Sequence, residues 1–342
     1  IPEDAELAAE TLQRAGFRTV GIWRNGWVSP SFGFQQGFDV YSRPRPIQQP
    51  RGVLAQKPTI KHGGSDEDAT SSAIEFLRVH SGGRWFLYLH LMDLHEYTYD
   101  SQSALFGSSY SDIYDNSIRW VDQTIEILLE HVVDKGYGDN TIVVVSSDHG
   151  EAFMERGYEG HGRRLYKETT EVPFIVSFPF KLEPNIVVQT RTQNVDVWPT
   201  IFELIGIERT ADQDGRSRVP EIMAIARGEA PPDVEPIGFS HLDQNWGQRD
   251  TEPLPTVAAV EGSLRYVRGD VENETVEHLF DASSDPKELV NLAKTEPETL
   301  ARLRDSVDER LTSPPAWGEP ERREIGEMEL NHLRAIGYDV GE

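Results

Sequence analysis

Residues 141–162 read TIVVVSSDHGEAFMERGYEGHG. A β-branched run without polar alternation is the pattern of a strand covered on both faces, and such strands belong to α/β sheets, whose ligands gather at the carboxyl ends of the strands. Asp148 and His149 stand at that end. A carboxylate oxygen beside an imidazole nitrogen makes a good pair of ligands for a divalent cation, and Gly150 lets the chain bend sharply next to them. Asp and Gly are equally the residues of an ordinary turn, and two ligands do not complete a hard-metal site. Twelve residues after His149, His161 lies between Gly160 and Gly162. It is either a solvated loop histidine or one whose flanking glycines let the backbone approach a ligand.

Outward from this stretch the pattern alternates. Leu7, Ala8, Leu12 and Ala15 give residues 4–15 a helical period that Gly16 stops, and RTVGIW follows as a strand. Residues 25–41 are a structured loop, and 42–64, with Pro44, Pro46, Pro50 and Pro58, a surface loop. A helix is expected from Asp66 to His80, capped by Ser65 or Asp66, with Ala69, Ala73, Phe76 and Leu77 inward. RWFLYLHL (84–91) reads as a buried strand opening into MDLHEYTY. His90 there suits a core position, whereas His95, beyond the strand end, suits a pocket. The next helix, 113–133, has Ile113, Ile118, Val121, Ile125, Leu128, Leu129 and Val132 on one side. A strand at 171–179 and a helix within 194–207 continue the alternation. From about residue 211 it gives way to short strands in PIGFSHL, TVAAVEG, LRYVRG and VEHLFD, with hairpin signals at Glu261-Gly262 and Gly269-Asp270. Helices at 298–311 and 327–336 close the chain.

The 342 residues carry 33 Lys and Arg against 58 Asp and Glu, a net charge of −25, which disfavours nucleic acid and anionic membranes as partners. An acidic surface poor in lysine suits a high-salt cytosol, where screening weakens self-repulsion, although acidity also simply aids solubility. The absence of cysteine excludes disulfides, thiolate metal sites and cysteine nucleophiles within these residues. No apolar run approaches the roughly 20 residues of a membrane span and no leader pattern precedes Ile1, which leans towards a cytoplasmic protein.

Taken in order, these pieces resemble the sulfatases of the alkaline phosphatase superfamily. SDHGE followed by GHG and LY carries the resemblance most specifically. AETLQRAGFRT, FLYLHLMDLHEY, IYDNSIRWVDQTIEILL, VDVWPTIFELIGI, DGRS, LFDASSDPKELVNLA and LRAIGY are similar to family features in the same order. The resemblance implies an alkaline-phosphatase-like mixed sheet flanked by helices over residues 1–210, lacking its first strands, and a smaller α+β subdomain with an antiparallel sheet over 211–342. It implies a sulfuric ester hydrolase acting on a small-molecule or glycan sulfate ester. Asp148 and His149 would be metal ligands, with Ca²⁺ expected first and Mg²⁺ or Mn²⁺ as alternatives. His161 and His95 would be catalytic and substrate-binding, reaching the sulfate and leaving-group oxygens, where a protonated imidazole stabilises developing charge.

Departures from the family pattern are informative. Leu94 replaces the usual Pro, Tyr97-Thr98-Tyr99 replaces Pro-Tyr, and Arg156 stands where many relatives have His. The family's nucleophile, a Ser or a Cys converted to formylglycine in a Cys/Ser-x-Pro-x-Arg motif, has no counterpart in this sequence, and neither has its Asp-Asp ligand pair. The expectation is a chain that begins partway through a longer protein and is itself inactive. Two other readings compete: a phosphodiester or phosphonate ester hydrolase of the same superfamily, and a non-catalytic binding protein with a lost active site.

Overall fold

Strand β1 (Arg18–Ile22) follows helix α1 (Ala8–Arg14) and lies between β2 (Val40–Ser42) and β3 (Trp85–Leu89), parallel to both. The computed structural model describes residues 1–44, 64–80, 82–162, 164–178, 185–208, 214–232, 236–245, 251–271, 274–314, 316–317 and 325–335. Most of the 42–64 loop and the end of LRAIGY lie outside them. The chain divides into two compact units, Ile1–Asp139 with Ala316–Glu342, and Asn140–Pro315. The change of sequence pattern near residue 211 falls inside the second unit. Among the described residues no helix is long and apolar enough to cross a membrane.

In the first unit the period of two along β1 builds two different faces. Val20 and Ile22, paired with Leu87 and Leu89, face α2 (Asp66–Val79) and α3 (Tyr110–Asp134), where Ala69, Ala73, Leu77, Leu128 and Val132 complete the core. Thr19 and Gly21, paired with Phe86 and Tyr88, face the aromatic side with Phe38 and Tyr41. A side chain at Gly21 would overlap the Tyr41 ring, so the strand needs a glycine there. The expected inward stripe of α2 is confirmed. That of α3 is corrected: Asn116, Ser117, Trp120 and Thr124 are buried with Leu128 and Val132, while Ile118 is exposed. The amino-terminal half of this helix packs on buried polar groups, so an apolar stripe cannot mark its inward face. Helix α8 (Glu327–Ala335) buries Leu333 and places Glu329 against Ser31 Oγ, 2.6 Å away.

In the second unit β4 (Val143–Ser146) pairs antiparallel with β7 (Phe174–Ser177). Its valines are half-buried and, among the described residues, it pairs along one edge only, so it is not the fully covered strand its composition suggests. Between these strands lie the short hairpin β5 (Ala152–Phe153) and β6 (Glu159–Gly160) and the helical turn α4 (Lys167–Thr170). Helices α5 (Val197–Ile205) and α6 (Val219–Ala226) lead to the antiparallel meander β8 (Gly238–Asp243), β9 (Pro255–Glu261), β10 (Leu264–Val271) and β11 (Glu274–Asp281). One face of the meander packs Val257, Ala259, Tyr266 and Leu279 on Leu300, Leu303 and Val307 of α7 (Pro297–Thr312). The other packs Ala258, Val267 and Phe280 on Leu165 and Tyr166. All four expected strands form, and Gly262, at φ +55°, makes the β9–β10 turn. Gly269 is not a turn residue. It sits within β10 opposite Val276, and it is small because a Cβ there would come within 2.7 Å of Thr256 Oγ1.

Leu77 has no exposure in the first core. Leu77→Ala should lower the unfolding free energy by about 2–5 kcal/mol, read by urea titration, and a loss below about 1 kcal/mol would contradict close packing there.

Candidate functional site

Three tiers of contacts shape the turn after β4. Buried Arg218 holds Asp196 Oδ2 at 2.6 Å, and Asp196 accepts from the Gln193 amide at 2.8 Å and the Arg216 amide at 2.9 Å. That fixes the short helical turn Asn194–Asp196. Asn194 Nδ2 then donates to the Ser147 carbonyl at 2.8 Å, and Ser146 Oγ donates to Asn194 Oδ1 at 3.1 Å. Ser147 Oγ in turn donates to the His149 carbonyl at 2.7 Å. On the far side, the Gly150 amide donates to the Thr169 carbonyl at 2.9 Å, and any side chain at 150 would overlap the Glu168 carbonyl oxygen. Gly150 is therefore required by close approach.

These contacts place Asp148 and His149 side by side. His149 Nε2 is 3.8 Å from Asp148 Oδ2, and the Asp148 carboxylate is largely exposed. His149 Nδ1 is 2.9 Å from the Gly150 carbonyl oxygen. A carbonyl only accepts, so Nδ1 carries a proton; in the neutral ring this leaves the lone pair on Nε2, the tautomer of a metal-ligating histidine. The donor set fits a divalent cation.

The β5–β6 hairpin returns His161 to the same place. Ala152 pairs with Gly160, so Glu151 and His161 are the next cross-strand neighbours. Gly160, at φ +90°, lets the chain leave the hairpin there. His161 Nδ1 meets Glu151 Oε2 at 2.9 Å, and the Glu151 side chain is buried. The His161 ring stacks on that of His149, with centroids 3.9 Å apart and planes at 19°. The structure thus brings Asp148, His149 and His161 together and adds Glu151, which sequence reading missed because the hairpin register, not the spacing, makes the pair. Arg156 does different work. It bonds Glu168 at 3.1 Å and the Lys287 carbonyl at 3.2 Å and lies over the Tyr166 ring, fastening this loop to the bend after β11.

His95 belongs to the first unit, in a turn after β3. The amides of Glu96, Tyr97 and Thr98 donate to the carbonyls of Met92, Leu94 and Asp93 at 3.1, 3.1 and 2.9 Å. Tyr97 takes φ +52°, a conformation that non-glycine residues adopt only when their surroundings hold it. Its ring is packed against Tyr110 and Tyr114 on α3. Beneath the turn lies a buried group of Arg24, Asp66, Asp93, Glu96 and Trp120 that sequence reading also missed.

A sequence profile described as Sulfatase matches residues 2–207, and one described as N-sulphoglucosamine sulphohydrolase, C-terminal, matches residues 155–314. Choline-sulfatase of Rhizobium meliloti is 29% identical over 200 residues, 56% of this chain and 36% of that protein. Arylsulfatase D of Homo sapiens is 27% identical over 317 residues, 83% of this chain and 52% of that one. The chain spans about a third to a half of the length of these relatives. A putative sulfatase from Bacteroides thetaiotaomicron superposes with a TM-score of 0.70 at 19% identity, over 91% of this chain and 75% of that one. A phosphonate monoester hydrolase from Silicibacter pomeroyi gives 0.66 at 18%, over 95% and 85%. These likenesses show the fold, an alkaline-phosphatase-like α/β arrangement.

Substituting Glu151 tests the pairing. In the unsubstituted chain His161 should carry a proton on Nδ1, facing Glu151, and Glu151→Ala should shift the ring nitrogens towards a mixed tautomer, as seen in long-range ¹H–¹⁵N spectra. Spectra identical in the two chains would contradict it.

Proposed function

The chain belongs to the sulfatase family, and from that premise we propose that the protein to which it contributes hydrolyses sulfate esters of small molecules or glycans. The observation that carries this is the joint placement of Asp148, His149 and His161, with His149 already in the ligating tautomer. Asp148 and His149 would hold one divalent cation, Ca²⁺ first, with Mg²⁺ and Mn²⁺ as alternatives; both oxygen and imidazole donors fall within their chemistry. When bound, the cation would offset sulfate charge.

The remaining steps belong to side chains. His161, its Nδ1 committed to Glu151, would deliver a proton or a charge-assisted hydrogen bond from Nε2 to the departing oxygen. His95, carried by a stiff turn, is proposed as a further catalytic and substrate-binding residue. The nucleophile, formylglycine or serine, is proposed to come from outside residues 1–342, since these hold neither cysteine nor a Ser-x-Pro-x-Arg run, and the chain alone is proposed to be inactive. Its excess of 58 acidic over 33 basic residues supports function in a salt-rich cytoplasm.

A second reading, phosphonate or phosphate diester hydrolysis, is supported by the phosphonate monoester hydrolase among the structural neighbours. Paired kinetics on an aryl sulfate and an aryl phosphonate monoester, with the full-length protein, decide between them. The sulfate should turn over with the higher kcat/KM, and His161→Ala should lower that value by about 10²–10⁴-fold. Preference for the phosphonate would move the protein to the second reading, and loss of neither activity would remove His161 from the chemistry.

A further inference from the structure

His149 is held through the peptide plane that joins it to Gly150. The Ser147 hydroxyl donates to the carbonyl of that plane at 2.7 Å, and the amide of the same plane, on Gly150, donates to the Thr169 carbonyl at 2.9 Å. A peptide is planar, so grips at both ends fix where the His149 Cα stands and limit the directions its ring can take. One grip is local to the turn after β4. The other comes from α4, a helical turn of four residues, far below the roughly 12–15 at which a helix begins to hold itself. Its support is therefore external, and Tyr166, the residue before it, gathers that support.

The Tyr166 carbonyl accepts from the amides of Thr169 and Thr170, both at 3.1 Å, and from their hydroxyls at 3.1 and 2.9 Å. The Thr169 hydroxyl also reaches the Arg164 carbonyl at 2.8 Å, and Arg265 of β10 donates to the Thr170 hydroxyl at 2.7 Å. The Tyr166 side chain is buried against the meander. Its ring stacks on that of His278 in β11, with centroids 5.8 Å apart and planes at 20°, and meets Phe280 edge-on at 6.0 Å. The Arg156 guanidinium lies 4.4 Å above it. The Tyr166 hydroxyl is 2.7 Å from His278 Nδ1. Burial, against the Arg164 and Arg156 charges, raises the phenol above its ordinary value, while burial together with the same two charges lowers the imidazole. Near neutral pH the phenol keeps its proton and the imidazole is uncharged, so the hydroxyl donates and Nδ1 accepts.

We propose that Tyr166 and His278 are positioning residues for His149: the hydrogen bond between them seats α4 on the meander, and α4 presents the Thr169 carbonyl that orients the His149–Gly150 peptide. The consequence for cation binding rests on the reading of His149 as a ligand; the mechanical link does not. Without that bond the ring still packs, but the residue whose carbonyl closes α4 loses its fixed depth, and the Thr169 carbonyl moves with it. Partners behind a metal ligand change affinity by about 10–100-fold, and a partner several contacts away belongs at the lower end.

Tyr166→Phe removes one oxygen and keeps the ring. In the full chain labelled with ¹⁵N it should speed hydrogen exchange of the Gly150 amide by about tenfold, while the amides of α7, on the opposite face of the meander, exchange as before. Mn²⁺ should bind the variant about tenfold more weakly, read from the concentration at which the Asp148 and His149 signals broaden away. His278→Phe should match both effects, and the double variant should show no more than either alone, because the two changes remove one bond. His278→Phe carries the test by itself should Tyr166→Phe not fold. Unchanged Gly150 exchange, a rise shared equally by α7, or single effects that add would each overturn the proposal. An unsubstituted chain that takes up no Mn²⁺ would overturn the cation reading alone, since Gly150 exchange still decides the link.

Discussion

Arginines buried among carboxylates are the interaction on which the working loops depend. Arg24 holds Asp66 and Asp93, Arg218 holds Asp196 and Glu221, and Arg265 holds Glu288 and Glu171, all between 2.5 and 3.1 Å. Ion groups of this kind add little net stability over apolar packing, but removing one partner costs about 3–5 kcal/mol because the other charge is stranded. Their value is geometric. Each arginine accepts a few arrangements of its carboxylates and excludes the rest, which is what a loop carrying chemistry needs.

In the second unit two of these groups bracket the candidate site. Arg218 fixes Asp196, Asp196 fixes the turn at Asn194, and Asn194 fixes the backbone that leads into Asp148. Arg265 reaches Thr170 and Glu288, and Arg156 joins Glu168 to the bend after β11, so the loop that carries His161 is anchored on the meander. Gly150 lies between the two anchors, where the chain passes too close to Glu168 for any side chain. An exposed carboxylate and two stacked imidazoles are thus held by contacts one and two steps behind them.

Sequence reading recovers what depends on apolar period and on local chemistry. Ala69, Ala73 and Leu77 mark the inward face of α2 because that face meets a hydrocarbon core. The four strands of the meander announce themselves as short strand-like runs separated by turn residues, and the sharp bend after β4 by Gly150. It misses what depends on polar burial and register. Asn116 and Trp120 face inward because their partners are the Leu105 and Phe106 amides and Asp93, not hydrocarbon. Glu151 meets His161 because Ala152 pairs with Gly160, and no spacing rule states that pairing. Asp66, which could have been a helix cap, leaves that role to Ser65 and serves the Arg24 group instead.

The central claim is that Asp148 and His149 form one end of a cation site whose ligating tautomer is set by the protein itself. The most direct measurement is anomalous diffraction from crystals of this chain soaked in Mn²⁺. The account predicts a peak about 2.0–2.6 Å from an Asp148 carboxylate oxygen and from His149 Nε2, with Nδ1 still on the Gly150 carbonyl. Ordered Asp148 and His149 side chains with no peak between them, or a His149 ring turned so that Nε2 meets the carbonyl, would contradict it.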